Sequence, residues 1–250
     1  LEIILPKSEQ IPSDRFRKDD TVRGVIKEVR MHNNKPLVIL SRTDNRFLEK
    51  LFEQEIPEIM DGIITINKIA RIPGEKAKVA VSSYDDRIDP VGACVGIKGS
   101  RIHGIVRELR NENIDVINYT DNDELFIQRA LSPAKIQRME VDKEKKRAKI
   151  YLRPEEISKA IGKKGVNIRL ASMLTGYELD IMREQEEEDV ELTEFTDEID
   201  EWIINEFKKI GLDTAKSVLE QDLDFLVKKT DLEEDTIKEV IQILKKEFED

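Results

Sequence analysis

Residues 95–103 read V-G-I-K-G-S-R-I-H, and residues 161–169 read I-G-K-K-G-V-N-I-R. Shifted by 66 positions, Gly96 falls on Gly162, Lys98 on Lys164, Gly99 on Gly165 and Ile102 on Ile168. Each stretch is a G-x-x-G with lysine inside, an aliphatic residue before it and helical spacing after it. The chemistry this suits is the gripping of an anionic backbone. Glycine tolerates positive φ and carries no Cβ to keep a sugar-phosphate chain away. The free N–H groups and the dipole at the start of the next helix favour a phosphate, and Lys98, Lys163 and Lys164 add positive charge. One such loop is as readily a plain connection between helices. Two with matched flanks point to a duplicated module that grips the backbone of single-stranded RNA or DNA, about four nucleotides per loop. The candidate RNA-binding residues are Gly96, Ile97, Lys98, Gly99, Arg101, Gly162, Lys163, Lys164, Gly165 and Arg169, with Arg107 and Arg110 placed to reach further phosphates. Val95, Ile102, Ile161 and Ile168 read as core.

Other chemistry finds little support. Cys94 reads as a core thiol and His103 as a residue of a first helical turn. One cysteine and two histidines give no zinc-ligand spacing and no disulfide framework. There is no G-x-x-x-x-G-K-[ST] phosphate loop, and no carboxylate cluster on strand ends to hold two metals. The reading is therefore of a protein that is not an enzyme, with no catalytic residue, metal or cofactor. Aromatic residues are only 5%, which limits recognition by base stacking. No apolar run approaches the roughly 18 residues of a membrane span, and no signal peptide is present. A cytoplasmic monomer with no membrane partner is expected. The chain begins at Leu1 rather than methionine, so it reads as a fragment or as a chain given without its start.

The net charge of −11 argues against a nucleic-acid partner only if taken whole. Residues 184–250 hold 24 Asp+Glu against 8 Lys+Arg, a net of −16, which leaves +5 on residues 1–183. Both glycine loops lie in the basic part. That asymmetry is a better guide to partners than the total.

The elements that must position the loops follow from local pattern. Residues 1–45 read as about three strands, Leu1–Leu5, Thr21–Arg30 and Leu37–Leu40, with M-H-N-N-K-P as a turn. An OB barrel needs five strands, so this part reads as N-terminally incomplete. Residues 46–58 are spaced as a helix with Asp44 as cap. Strands Gly62–Ile72 and Ala77–Ser83 flank Pro73-Gly74. Asp89-Pro90 opens a helix. The first glycine loop follows, then a helix to about Arg110 and the strand Ile114–Asn118. The order repeats: a helix at Asp123–Ala130, strands Ile136–Val141 and Ala148–Leu152, a helix from Pro154 to Ile161, the second loop, a helix to about Leu174 stopped by Gly176, and the strand Glu178–Met182. Helix–strand–strand–helix–loop–helix–strand is a KH module of prokaryotic topology. Residues 184–194 read as an acidic linker. Residues 195–250 read as about five short helices, with similar turns at Gly211–Thr214 and Asp231–Glu234.

Longer motifs then point to a family. L-P-K-S-E-Q-I-P at 5–12, V-I-L-S-R-T at 38–43, E-I-P-E-I at 55–59, D-D-R-I-D-P-V-G-A-C-V-G at 85–96, A-I-G-K-K-G-V-N-I-R-L-A-S at 160–172 and L-T-G-Y-E-L at 174–179 resemble the NusA family of bacterial transcription elongation and termination factors, from residue 1 to about 183. The resemblance implies an α+β chain: a partial OB-fold at 1–45, a first KH module at 46–120, a second at 121–183, and an acidic helix-hairpin-helix-like bundle at 195–250. It implies single-stranded RNA, RNA polymerase and other transcription factors as partners, and a role in pausing, termination and antitermination. A different class, an RNA-processing or ribosome-assembly KH protein, is the alternative. The family's N-terminal polymerase-binding domain is not among these residues, so no anchoring role attaches to them.

Overall fold

The computed structural model describes residues 2–183 and 190–247, so residues 184–189 of the expected acidic linker lie outside the described residues. Two compact units divide near residue 184.

The first unit opens with a three-stranded sheet: β1 (Glu2–Ile4), β2 (Val25–His32) and β3 (Lys35–Ser41), in the order β1-β3-β2. β1 runs parallel to β3, and β2 antiparallel to it. The turn expected over M-H-N-N-K-P narrows to Asn33-Asn34, since Met31 and His32 pair with Pro36 and Lys35 in the β2–β3 hairpin. Asn33 and Asn34 both take positive φ (49° and 60°), the geometry whose twist matches the flanking strands. β2 starts four residues later than the expected Thr21. The Arg23 carbonyl there accepts a bond from the Arg42 guanidinium (2.7 Å) instead of joining the ladder. Buried ions fix this OB-like sheet to the first KH module. Arg42 donates to Asp14 (2.8 Å) and Glu108 (2.9 Å), and Arg71 to Glu112 (2.7 Å) and to the Arg42 carbonyl (2.8 Å).

The first KH module comprises α1 (Asn45–Glu55), α2 (Pro57–Met60), β4 (Ile64–Ile72), β5 (Lys76–Ser83), α3 (Pro90–Val95), α4 (Ser100–Glu108) and β6 (Asn113–Asn118). The Asp44 side chain caps α1 by accepting from Arg46 N (2.9 Å). The single helix expected over 46–58 is two, because Pro57 forces Ile56 into an extended conformation (φ −121°, ψ 100°). The second module repeats the order with α5 (Asp123–Ala130), β7 (Arg138–Asp142), β8 (Arg147–Leu152), α6 (Pro154–Ile161), α7 (Val166–Thr175) and β9 (Glu178–Arg183). Each sheet has one antiparallel and one parallel pair, in the orders β4-β5-β6 and β7-β8-β9.

The two modules share apolar packing. Ala70, Ala80 and Ile117 of the first sheet join the core formed by Phe126, Ile127, Leu170, Ala171 and Leu174 of the second module. α7 lies over β4 and β5. Beneath this cover Lys78 is fully buried and donates to Asp115 (2.9 Å).

The second unit is a bundle of a 3-10 turn (Leu192–Phe195), α8 (Glu201–Lys209), α9 (Ala215–Leu219), α10 (Leu223–Lys229) and α11 (Glu234–Glu247). Its own core includes Leu192, Phe207, Val218, Leu226, Ile237 and Leu244. Its first described residue, Val190, lies inside the span read as linker. Ala215 N donates to Val190 O (2.8 Å) and Leu192 N to Asp213 O (3.0 Å). The surrounding acids outweigh Val190 and Leu192 in composition but do not prevent them packing. The expected turns serve as helix starts: Thr214 forms a capping box with Ser217 at α9, and Asp231–Glu234 leads into α11.

Candidate nucleic-acid interface

Both glycine loops adopt one backbone shape. Gly96 and Gly162 end the preceding helices at φ/ψ of 76°/170° and 73°/173°. Lys98 and Lys164 sit in the left-handed region at 53°/28° and 55°/23°, unusual for residues other than glycine. Gly99 and Gly165 follow at 79°/15° and 73°/13°. A bond closes each turn, Gly99 N to Gly96 O (3.0 Å) and Gly165 N to Gly162 O (3.1 Å). The next helix begins at once, at Ser100 and at Val166.

Upstream, Asp89 caps α3 through Val91 N (3.1 Å), with Pro90 at the first helical position. The first glycines are also required by packing. A Cβ on Gly96 would lie 2.9 Å from the Arg101 side chain, and one on Gly162 would lie 2.6 Å from Asn167 Cβ. A Cβ on Gly99 would meet the His103 ring at 2.7 Å, whereas Gly165 faces open space.

The geometry presents the loop tips to solvent. Ile97 is 86% exposed, and Lys98, Lys163, Lys164 and Arg169 are exposed. Among the described residues no ion pair engages these four cations. Each loop thus offers positive charge without an ion-pair partner at the start of a helix, an arrangement for holding phosphate.

Not every expected contact residue points outward. The half-buried Arg101 donates to Ala93 O (2.7 Å) and to Glu58 Oε2 (2.8 Å). Arg110 is exposed but is tied to Asp14 (3.2 Å) and lies over the Phe16 ring. Arg107 is exposed. Ile102 is buried, and Val95 and Ile168 are partly buried and pack against the cores. Ile161, expected in the core, is instead exposed at 37%, because it is the last residue of its helix and belongs to neither core cluster. Cys94 is fully buried, and its burial pushes the thiol up to about 12. His103 occupies the first turn of α4.

The sequence reading missed Asn167. Its amide lies in the core and shares its two N–H hydrogens among the carbonyls of Ala160 (3.1 Å), Lys159 (3.3 Å) and Leu131 (3.4 Å). The only available signal was that it falls on Arg101 at the 66-residue offset.

Comparison with known proteins agrees with the duplicated loops. The NusA-like first KH domain matches residues 42–119, and the NusA-like second KH domain matches residues 123–189. The chain belongs to the NusA family. It is 39% identical over 194 residues to the transcription termination/antitermination protein NusA of Halalkalibacterium halodurans, covering 78% of this chain and 51% of that protein. The NusA of Thermus thermophilus is 42% identical over 71% of this chain and 46% of its own length. That of Bacillus subtilis is 39% identical over 74% and 50%. The chain therefore spans about half the length of these curated NusA relatives. Among the described residues no group of three His, Cys, Asp or Glu could hold a metal ion, and no helix is long and apolar enough to cross a membrane.

Proposed function

We propose that this NusA-type chain is a non-catalytic, RNA-binding regulator of bacterial transcription. It holds single-stranded nascent RNA on its tandem KH modules and OB-like sheet, and works in the cytoplasm as a monomer beside RNA polymerase in pausing, termination and antitermination. The observation that carries this reading is the pair of G-x-x-G loops with one backbone shape, each with free lysines at a helix start. The relatives' names, transcription termination/antitermination proteins, supply the process.

The test is to place carboxylates where phosphate must sit. Ile97→Asp with Lys98→Asp changes the first loop, and Lys163→Asp with Lys164→Asp the second. The glycines remain, so the turns still form, as circular dichroism will verify. Hydrogen bonds to charged groups are worth about 1.5–3 kcal/mol. Either pair should therefore cost on the order of tenfold or more in affinity for RNA long enough to reach both loops. Unchanged affinity in folded protein for both pairs would refute RNA gripping by these loops. In reconstituted transcription with a bacterial polymerase, the chain should shift readthrough at a terminator, and the aspartate variants should shift it less. Labelled RNA incubated with the chain and magnesium should stay intact; breakdown would favour an RNA-processing enzyme.

A further inference from the structure

Arg101 and Asn167 occupy the same position in the two copies, five residues after the first loop glycine, yet share neither charge nor size. Each donates to the last turn of the helix before its loop, Arg101 to Ala93 O (2.7 Å) and Asn167 to Lys159 O (3.3 Å). Those two carbonyls are themselves equivalent at the 66-residue offset. Each residue also reaches the segment just past its module's first helix. Arg101 does so through Glu58 (2.8 Å) on α2, and Asn167 through Leu131 O (3.4 Å) beyond α5. Both pack against the first loop glycine so closely that a Cβ there would fall under 3.0 Å. Each therefore ties together the helix before the loop, the helix after it and a third element.

Asn167 keeps this place at a cost. Its Oδ1 is buried with no hydrogen-bond partner among the described residues, and an orphaned buried acceptor is destabilising. An apolar residue would fill the space without that penalty, so the donated bonds are what the position requires.

We propose that Arg101 and Asn167 are positioning residues that hold the two loops in their gripping shape, and that Arg101, unlike the loop lysines, makes no contact with RNA. This rests on the RNA-binding reading above. It also makes the loops unequal: the first is braced by a half-exposed ion pair and the second by a buried neutral amide.

Charge-balanced variants of the full chain test it. Arg101→Ala with Glu58→Gln removes one charge of each sign and the brace. Arg101→Asn with Glu58→Gln removes the same charges but installs the brace of the second loop. The alanine pair should lose affinity on the order of tenfold for RNA reaching both loops, and speed amide exchange at Ile97, Lys98 and Gly99. The asparagine pair should restore both to within about twofold. The salt dependence of binding should match wild type throughout.

A phosphate contact by Arg101 predicts otherwise. Both pairs would then lose affinity alike, and the salt slope would fall by about 0.7 per lost phosphate contact on a single strand; that result overturns the proposal, as does full affinity in the alanine pair. Asn167→Ala, which changes no charge, should weaken binding at an unchanged slope. Wild-type affinity in folded Asn167→Ala protein would overturn the assignment even if the Arg101 variants failed to fold. If the aspartate variants described above leave RNA binding intact, the RNA reading itself fails. Amide exchange still reads the brace in that event.

Discussion

Gly162 and Gly165 lie three residues apart in one loop, and positive φ alone does not explain both. Gly165 is left-handed and faces open space, a conformation asparagine also tolerates. Gly162 combines φ 73° with ψ 173°, a region open essentially to glycine alone, and its missing Cβ is where Asn167 packs. Gly162→Ala should therefore cost roughly 2 kcal/mol or more. Gly165→Asn should cost well under about 1 kcal/mol. Urea unfolding followed by circular dichroism measures both. Cys94 gives a second prediction at this scale. Its thiol titrates at about 12 because burial disfavours the thiolate, against the ordinary value of 9.0. Between those pH values the unfolded chain loses a proton that the folded chain keeps, so rising pH costs stability in that window and not below it. Cys94 should accordingly resist alkylation near pH 8 in native protein and react at once in denaturant. The sequence made the glycines and lysines of the site legible by repetition. It could not tell which glycine is held by sterics, nor that Arg101 turns inward, because both depend on what lies five residues along and on a helix more than forty residues away.

Among the elements, α7 shows how the two modules are packed into a pair. It covers the outer face of the first module's sheet, which offers the small or apolar Ala70, Ala80 and Ile117. The aligned residues of the second sheet are Glu140, Tyr151 and Met182. Glu140 and Met182 are exposed and Tyr151 partly so, so no helix could approach that face as closely. The pairing Lys78–Asp115 belongs to the covered face. Burial pushes the Lys78 amine down from its ordinary value, with the Asp115 carboxylate opposing the shift. Asp115→Ala would leave that buried amine without its carboxylate. The expected cost is roughly 2–3 kcal/mol, below the value for a fully enclosed pair because Asp115 is partly exposed. The cost should shrink at alkaline pH, where a neutral amine needs no counter-charge, and Lys78→Met should recover part of it. Denaturant titrations of the single and double variants measure the coupling. The strand–strand–helix–loop–helix order was readable because alternation, proline openings and glycine stops agree in both copies. The break at Pro57 was hidden by apolar spacing that continues through Ile56. The packing of α7 on a sheet some hundred residues earlier leaves no local trace.

At the scale of the molecule, the chain is two units with separate cores and opposite charge. Residues 1–183 carry +5 and both loops, and residues 184–250 carry −16. The division was legible from charge and falls within a residue of the structural one, but the start of the bundle's packing was not, because an average over acidic residues conceals Val190 and Leu192. Domains of about 60 residues are marginal, so whether the bundle stands alone depends on how completely it encloses its own core. Leu192, Phe207, Val218, Leu226, Ile237 and Leu244 are each 0% exposed, and Thr214 and Ser217 cap α9 reciprocally. Residues 190–250 should therefore fold without the rest, giving a helical spectrum and a cooperative melt. A fragment starting at 195 lacks Val190 and Leu192 and should melt lower. The 190–250 fragment should not bind RNA: its turns present Asp213, Glu233, Glu234 and Asp235, where a grip on phosphate needs glycine and cations. Residues 1–183 should keep the RNA affinity of the full chain at high salt. At low salt they should bind RNA more tightly than the full chain, because a tethered charge of −16 repels RNA over a distance that shortens to about 8 Å at physiological ionic strength. Fluorescence anisotropy of one labelled RNA across a salt series measures both fragments. Binding by 190–250 would break the assignment of grip and charge to separate units, and equal low-salt affinities would remove the repulsion.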